Sequence, residues 1–331
     1  IGLKKLNGAD KMQNVRVTTL SDIAERMGIS VNTVSRALRN CSDIGASTKA
    51  AVKKIADEMG YQPNKVASFM RTKKSNIIAV VISSLSNPFF SISLDFVFDY
   101  LTKKNYHPLI IVKKEGDLSV EEVVRCMQSG ACGILTFIDL DEETADYCET
   151  YKIPVLLCGS RPRDERISAV YSDDNRCGKL VAQEAVSHGA KNPCYINGAL
   201  SDLNNGRRNG FIKVLENAGI HCDSYKFDYE DREASAESIK KQIEDNANDF
   251  IFCFNDEIAT VMLKAFDADG GFKGEIFGVD GISKYLPYSR SVNSVGGDLQ
   301  SIANRCGHIL LEKVEKGDVK IVREVFPTEA D

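Results

Sequence analysis

The chain has 331 residues, more than one hydrophobic core usually serves, so two or three domains are expected. Its 43% apolar and 27% charged residues argue against disorder and against membrane spans, and no stretch approaches the roughly twenty apolar residues that a bilayer crossing needs. The net charge of −5 conceals a split, because residues 1–76 carry 14 Lys and Arg against 6 Asp and Glu while the rest carry 28 against 41. A basic head on an acidic body suits nucleic-acid contact by the head alone. The ten cysteines form no C-x-x-C pair, and Cys126, Cys132, Cys158, Cys194 and Cys253 fall in apolar patterns, as small buried hydrophobes in a reducing cytosol. Four dispersed histidines offer no ligand cluster, so no metal site is expected.

In chain order, the opening IGLKKLNGADK has no pattern and no initiator Met. Residues 1–16 are expected to be a leader and disordered start, with the native start at Met12. Residues 17–62 then read as three short helices. LSDIAERM sets Leu20, Ile23, Ala24 and Met27 on one face, Thr19 can cap its first turn, and Gly28 suits the left-handed end. After Gly28-Ile29-Ser30 the pattern restarts in SVNTVSRAL, with Val31, Val34 and Leu38 directed inward, which makes a helix-turn-helix. Its outward face carries Asn32, Thr33, Ser35 and Arg36, side chains able to bond base edges or phosphates in a major groove; an ordinary solvated face is the plainer alternative. A third helix, about Thr48 to Met59, closes the core with Val52, Ile55, Ala56 and Met59. Over residues 63–75, Pro63 opens a short basic helix that is too short to stand alone in water.

VTTLSDIAERMGISVNTVSRALRN, followed by GYQPNKVASFMRTKKSNIIAVVISSLSNPFF, resembles the lactose-repressor (LacI/GalR) family of bacterial transcription regulators, most strongly over Val17 to Phe90 and more diffusely to about Pro327. The resemblance implies that the basic segment is a hinge helix that pairs with its dimer mate in the minor groove. Met70 stands where the family has a wedging leucine, and Gly45 where it has a capping serine. It extends the expected DNA-binding set to Thr19, Ser30, Val31, Asn32, Thr33, Ser35, Arg36, Arg39, Tyr61, Asn64, Ala67 and Met70.

From Asn76 strands alternate with helices, the signature of parallel sheets covered on both faces. The strands expected are 77–82, 108–112, 132–137, 154–158 and 168–172, then 193–198, 225–229, 250–254, 275–280 and 291–295. Between the first set lie helices near 89–104, 119–129 and 141–151. Helices near 175–188, 205–218, 234–246, 256–268 and 299–316 accompany the second. Two lobes follow, one of about 76–173 with 298–317 and the other of about 174–295 with 320–327. Gly296-Gly297-Asp298 replaces the family's Arg-Gln at a lobe boundary. FPTEAD shows no tetramer-forming leucine heptad and falls short of the family's final strand, so a truncated end is expected.

Open parallel sheets bind ligands beyond the carboxyl ends of their strands. The polar residues there are Ser83, Asn87, Asp174, Asn175, Asn255, Asp256 and Asp280, with Arg207 early in a second-lobe helix and Phe89 or Phe90 as a stacking ring. Such a set suits a polyhydroxylated ligand, and the resemblance, whose effectors are mostly sugars, maps onto Asp174, Arg207, Asn255 and Asp280. The plainer alternatives are that Asp174-Asn175 and Asn255-Asp256 cap helices, that Arg207 pairs with a surface carboxylate, and that the phenylalanines are core. No G-x-G-x-x-G, phosphate loop, G-x-S-x-G or H-E-x-x-H occurs, so neither catalytic residues nor a cofactor is expected.

The expected fold is α/β, with an N-terminal three-helix helix-turn-helix head plus hinge helix, then two doubly wound parallel-sheet lobes of periplasmic-binding-protein type. The expected function is a cytoplasmic, homodimeric repressor of carbohydrate-use genes. Its expected partners are double-stranded operator DNA and a small-molecule effector, a sugar or sugar derivative, with no membrane. A solute-binding protein of the same two-lobed fold is the alternative.

Overall fold

Thr19 opens helix α1 (Leu20–Met27) with a reciprocal cap, its hydroxyl accepting from the Asp22 N–H while the Asp22 carboxylate accepts from the Thr19 N–H at 2.7 Å. This is the first element of a computed structural model that describes residues 18–61, 75–198, 202–285, 292–317 and 320–330. The expected leader and the hinge with Asn64, Ala67 and Met70 lie outside the described residues. The chain divides into two compact units, Ile1–Lys74 and Ser75–Asp331.

In the first unit Gly28 ends α1 at φ 64°, Ser30 caps α2 (Val31–Leu38), and Gly45 precedes α3 (Ala46–Glu58) without a side-chain cap. Ile23, Ala24, Val34, Ala37, Val52 and Ala56 form the core, and Leu20, Met27, Leu38, Ile55 and Met59 pack half-buried around it. Two expectations on α2 fail. Val31 is 44% exposed, because it is the first helical residue and projects past the packed face. Ser35 is only 7% exposed, because one residue step turns it just about 100° from Val34, still on the packed side.

The second unit begins with β1 (Ile77–Ile82), α4 (Pro88–Lys103), β2 (His107–Val112), α5 (Val120–Gln128), β3 (Ala131–Thr136), α6 (Glu142–Thr150), β4 (Val155–Gly159) and β5 (Ser168–Ser172). The period-two alternation of a strand decides the layers. Ile78, Val80 and Ile82 face α4, while Ala79 and Val81 face α5 and α6. The second lobe follows as α7 (Asp174–Ser187), β6 (Pro193–Asn197), α8 (Asp202–Asn217), β7 (Asp223–Lys226), α9 (Arg232–Asp245), β8 (Phe250–Cys253), α10 (Asp256–Asp267), β9 (Glu275–Val279) and β10 (Asn293–Gly296). Its core is aromatic, with Tyr195, Phe211, Phe250 and Phe252 fully buried. The strand expected at 225–229 starts two residues earlier, because the polar Asp223 and Ser224 pair at the sheet edge with Cys194 and Tyr195.

The chain then returns to the first lobe as α11 (Leu299–Lys316), which packs Ile302, Cys306 and Leu310 beside α4. Residues 320–327, expected in the second lobe, instead contribute β11 (Arg323–Phe326), which runs parallel to β5. Short and at a sheet edge, it buries too little apolar surface to announce itself. β12 (Glu329–Ala330), also unforeseen, pairs antiparallel with β10. The sheet orders are therefore β11-β5-β4-β3-β1-β2 and β12-β10-β9-β8-β6-β7. Gly296 at the crossing has no room for a side chain, since a Cβ there would lie 2.8 Å from the Asp280 carbonyl carbon and the Gly281 nitrogen. One on Gly297 would lie 2.9 Å from the Ile302 side chain and 3.2 Å from Ser172 Oγ, which would have to give. Asp298 caps α11, accepting from the Ser301 N–H at 2.9 Å.

Helices α7 and α8 cross in backbone contact. A Cβ on Gly178 would run into the Arg207 carbonyl oxygen, one on Gly210 into the Asn175 carbonyl oxygen, and one on Gly206 would lie 2.9 Å from Asp174 Cβ. This crossing sets Arg207 beside Asp174. Gly210→Ala is expected to cost the chain on the order of 1–3 kcal/mol in urea unfolding followed by far-ultraviolet circular dichroism. An unchanged midpoint would show that the helices can part without loss.

Candidate functional site

The head presents one polar helix face. Thr33 N–H donates to Ser30 Oγ at 3.0 Å, and the two hydroxyls lie 2.8 Å apart, so Ser30 and Thr33 are tied to the start of α2. Val31, Asn32 and Arg39 are exposed, and Arg39 Nε donates to the Ser35 carbonyl at 3.1 Å. Arg36 forms an ion pair with Asp43 in the turn after α2; their mutual hydrogen bond raises the guanidinium's pKa and lowers the carboxyl's. Tyr61, half-buried, packs against the head's core. Ser35 leaves the candidate set as a base reader, since it is buried.

In the core, Arg207 is 8% exposed and fully engaged. Its Nε donates to Asp174 Oδ1 at 2.8 Å, Nη1 to the Phe254 carbonyl at 2.6 Å and Nη2 to Asp280 Oδ1 at 3.3 Å, and its guanidinium carbon sits 4.8 Å from the Phe254 ring centroid. Asp280 follows β9 with φ 125°, a conformation costing on the order of 1–3 kcal/mol for a residue with a side chain. Behind it Asp256 is wholly buried, accepting from Ser294 Oγ at 2.6 Å and from the Ile282 N–H at 2.8 Å. A Cβ on Gly278 would strike the Asp256 carboxylate, so the strand needs glycine there.

Two carboxylates thus share one guanidinium, with a third, Asp256, buried behind them. Burial pushes Asp256 and Asp280 above the usual carboxylate range, and the nearby acids add to it while Arg207 opposes it. Burial also raises Asp174, against the pull of Arg207. Burial alone would lower Arg207; Asp174 and Asp280 outweigh it and hold the charge on.

A cavity of about 40 Å3 separates Arg207 and Asp280 from Phe89, Phe137, Cys158 and Leu299 of the first lobe. That is room for about one water. A wider cleft of about 880 Å3 opens beside it, walled by Asp174 and Asn175 on one lobe and by Phe137, Asp139, Arg161 and Arg163 on the other. Both lie beyond the carboxyl ends of strands. Of the expected effector residues, Asp174, Arg207, Asp280 and Phe89 line these spaces. Ser83, Asn87, Phe90 and Asn255 stand outside both linings. Asn87 caps α4 by accepting from the Phe89 N–H at 2.9 Å, and Asn255 caps α10 by accepting from the Ile258 N–H at 3.0 Å. Phe90 packs edge-on against Phe89 and Phe137 and joins the first-lobe core. The cap of α7 is Asp173, which frees Asp174 for Arg207. Sequence reasoning missed Phe137, since a phenylalanine ending an apolar strand looks like core.

The family description "Bacterial regulatory proteins, lacI family" matches residues 19–64, and "Periplasmic binding proteins and sugar binding domain of LacI family" matches residues 75–294. The chain belongs to the lacI family of bacterial regulatory proteins. As a member it is a DNA-binding regulator with an effector-binding core, and the match over 19–64 sets aside a solute-binding protein without a regulatory role. It is similar to Catabolite control protein A of Staphylococcus aureus, at 26% identity over 256 residues, 76% of this chain and 78% of that one. It is also similar to the Sucrose operon repressor of Pediococcus pentosaceus, at 25% over 302 residues, 89% and 92% of the two chains. The lac repressor dimer bound to operator and the anti-inducer ONPF shares the fold at TM-score 0.81 and 21% identity, over 95% of this chain and 98% of that one. A lacI family regulator from Silicibacter pomeroyi does so at 0.80 and 24%, with the same coverage of 95% and 98%.

The buried acids of this lacI family core make its stability depend on pH. A carboxyl whose folded pKa is raised holds a proton that the unfolded chain has released, so its contribution is whole below the unfolded value near 4 and is lost as pH rises through the folded value. Urea unfolding should therefore show stability falling from about pH 4 toward and past neutrality. Asp256→Asn is expected to flatten that fall; an identical slope in the variant would mean that Asp256 is ionised throughout.

Proposed function

We propose that this lacI family protein represses carbohydrate-use genes in the cytoplasm and that a polyhydroxylated effector, bound between the lobes, controls it through Arg207, Asp174 and Asp280. The observation that carries the reading is the engagement of one buried guanidinium by two carboxylates at the mouth of a cleft. Hydroxyl groups can donate to the carboxylates, and the rings of Phe89 and Phe137 offer an apolar wall to the carbon face of a sugar. The relatives named for the sucrose operon and for catabolite control support carbohydrate-use genes as the regulated class. No catalytic role is proposed. Ten free thiols suit a reducing compartment, and among the described residues no helix is long and apolar enough to cross a membrane.

The protein acts as a homodimer on a pseudo-palindromic operator, two copies of the head reading two half-sites. The surface offered to a second copy is apolar: Phe98 on α4 is 50% exposed, and Ile110 and Val112 project from the edge strand β2. On the head, Asn32 and Arg36 read base edges while Thr19, Ser30, Thr33 and Arg39 position the helix on phosphates.

Thermal shift across a panel of sugars and sugar phosphates tests the effector reading, since a ligand at 100 times its Kd adds about 2.7 kcal/mol. The ligand found there should also change operator affinity. Asp280→Asn is expected to remove both the shift and the effect on operator binding. A full response in the variant would take Asp280 out of the site.

A further inference from the structure

The turn after α2 brings an acid back onto the helix proposed to read DNA. Asn40 takes φ 57°, Cys41 N–H donates to the Arg36 carbonyl at 3.1 Å, and Ile44 N–H donates to the Cys41 carbonyl at 3.3 Å. Asp43 rides on this closed turn and pairs with Nη2 of Arg36, with both side chains still partly open to solvent. The Arg36 Nε is buried and has no hydrogen-bond partner among the described residues. With Nε buried, the donors that Asp43 leaves are those of Nη1 and the second N–H of Nη2, on the end of the guanidinium that can face the O6 and N7 acceptors of guanine.

A carboxylate is an unexpected neighbour for a phosphate backbone. It repels every DNA sequence alike and so lowers affinity without regard to bases. Its compensation is geometric. An arginine side chain that is free to rotate can swing to a phosphate, whereas one held by a carboxylate presents its fork in a fixed plane and loses less freedom when it meets a base. We infer that Asp43 is a positioning and specificity-determining residue, which holds Arg36 for guanine and against the phosphates. The inference rests on the reading of Arg36 as a base contact.

The test is selection of the full-length protein and its variants on a duplex library with randomised half-sites, read as base preference at each position. Arg36→Ala should flatten one base pair per half-site. Asp43→Ala and the near-isosteric Asp43→Asn should flatten the same pair, lowering its discrimination by about tenfold, while affinity for non-operator DNA rises. Adding Asp43→Ala to Arg36→Ala should flatten that pair no further. If Arg36→Ala flattens the pair and both Asp43 variants keep the wild-type preference, Asp43 does not position Arg36. A uniform loss at every base pair in Asp43→Asn would also overturn the inference, since it would reflect folding or bulk charge. An unaltered profile in Arg36→Ala would instead remove the base-reading role of Arg36 and, with it, the ground for this one.

Discussion

A guanidinium that is almost wholly out of water must be paired, and the second lobe is arranged around that requirement. Removing one partner of a buried charge pair costs on the order of 3–5 kcal/mol, because the other is left uncompensated. Arg207 answers to Asp174, Asp280 and the Phe254 carbonyl, which come from the start of α7, the end of β9 and the end of β8. Three separate elements thus converge on one side chain. The convergence needs α7 and α8 at backbone contact, which Gly178, Gly206 and Gly210 permit. The left-handed backbone of Asp280 belongs to the same arrangement, since relaxing it would swing the carboxylate away from Nη2.

The site is also over-supplied with negative charge. With one cation among Asp174, Asp256 and Asp280, burial and the neighbouring acids favour the protonated form at Asp256 and Asp280. A retained proton makes a carboxyl both donor and acceptor, which widens the hydrogen bonds that the cleft can offer a neutral ligand.

Much of this was legible in the residues. The cap of α1, the glycine turn and the order of ten strands follow from local chemistry, and local chemistry is what a sequence displays. Arg207 with Asp174 and Asp280 was legible too, the two acids from their places at strand ends and Arg207, early in a helix, from the resemblance to the lacI family. What failed depended on neighbours far along the chain. Ser35 looks outward in a helical projection, but α2 packs over a wider arc than its apolar residues mark. Asn255 and Asn87 sit where ligand residues sit and spend their side chains on helix caps. Residues 323–326 join the first sheet rather than the second, and a four-residue edge strand has no pattern strong enough to say which edge it borders.

Three stretches of chain cross between the lobes, after β5, after β10 and after β11. They meet at Gly297, where an added Cβ would lie 3.2 Å from Ser172 Oγ and 3.4 Å from the Pro327 carbonyl oxygen. Three short tethers bundled at one point behave mechanically as a pivot. They resist sliding and separation of the lobes but oppose rotation weakly. A bulkier residue at Gly297 would therefore press on the point about which the lobes turn.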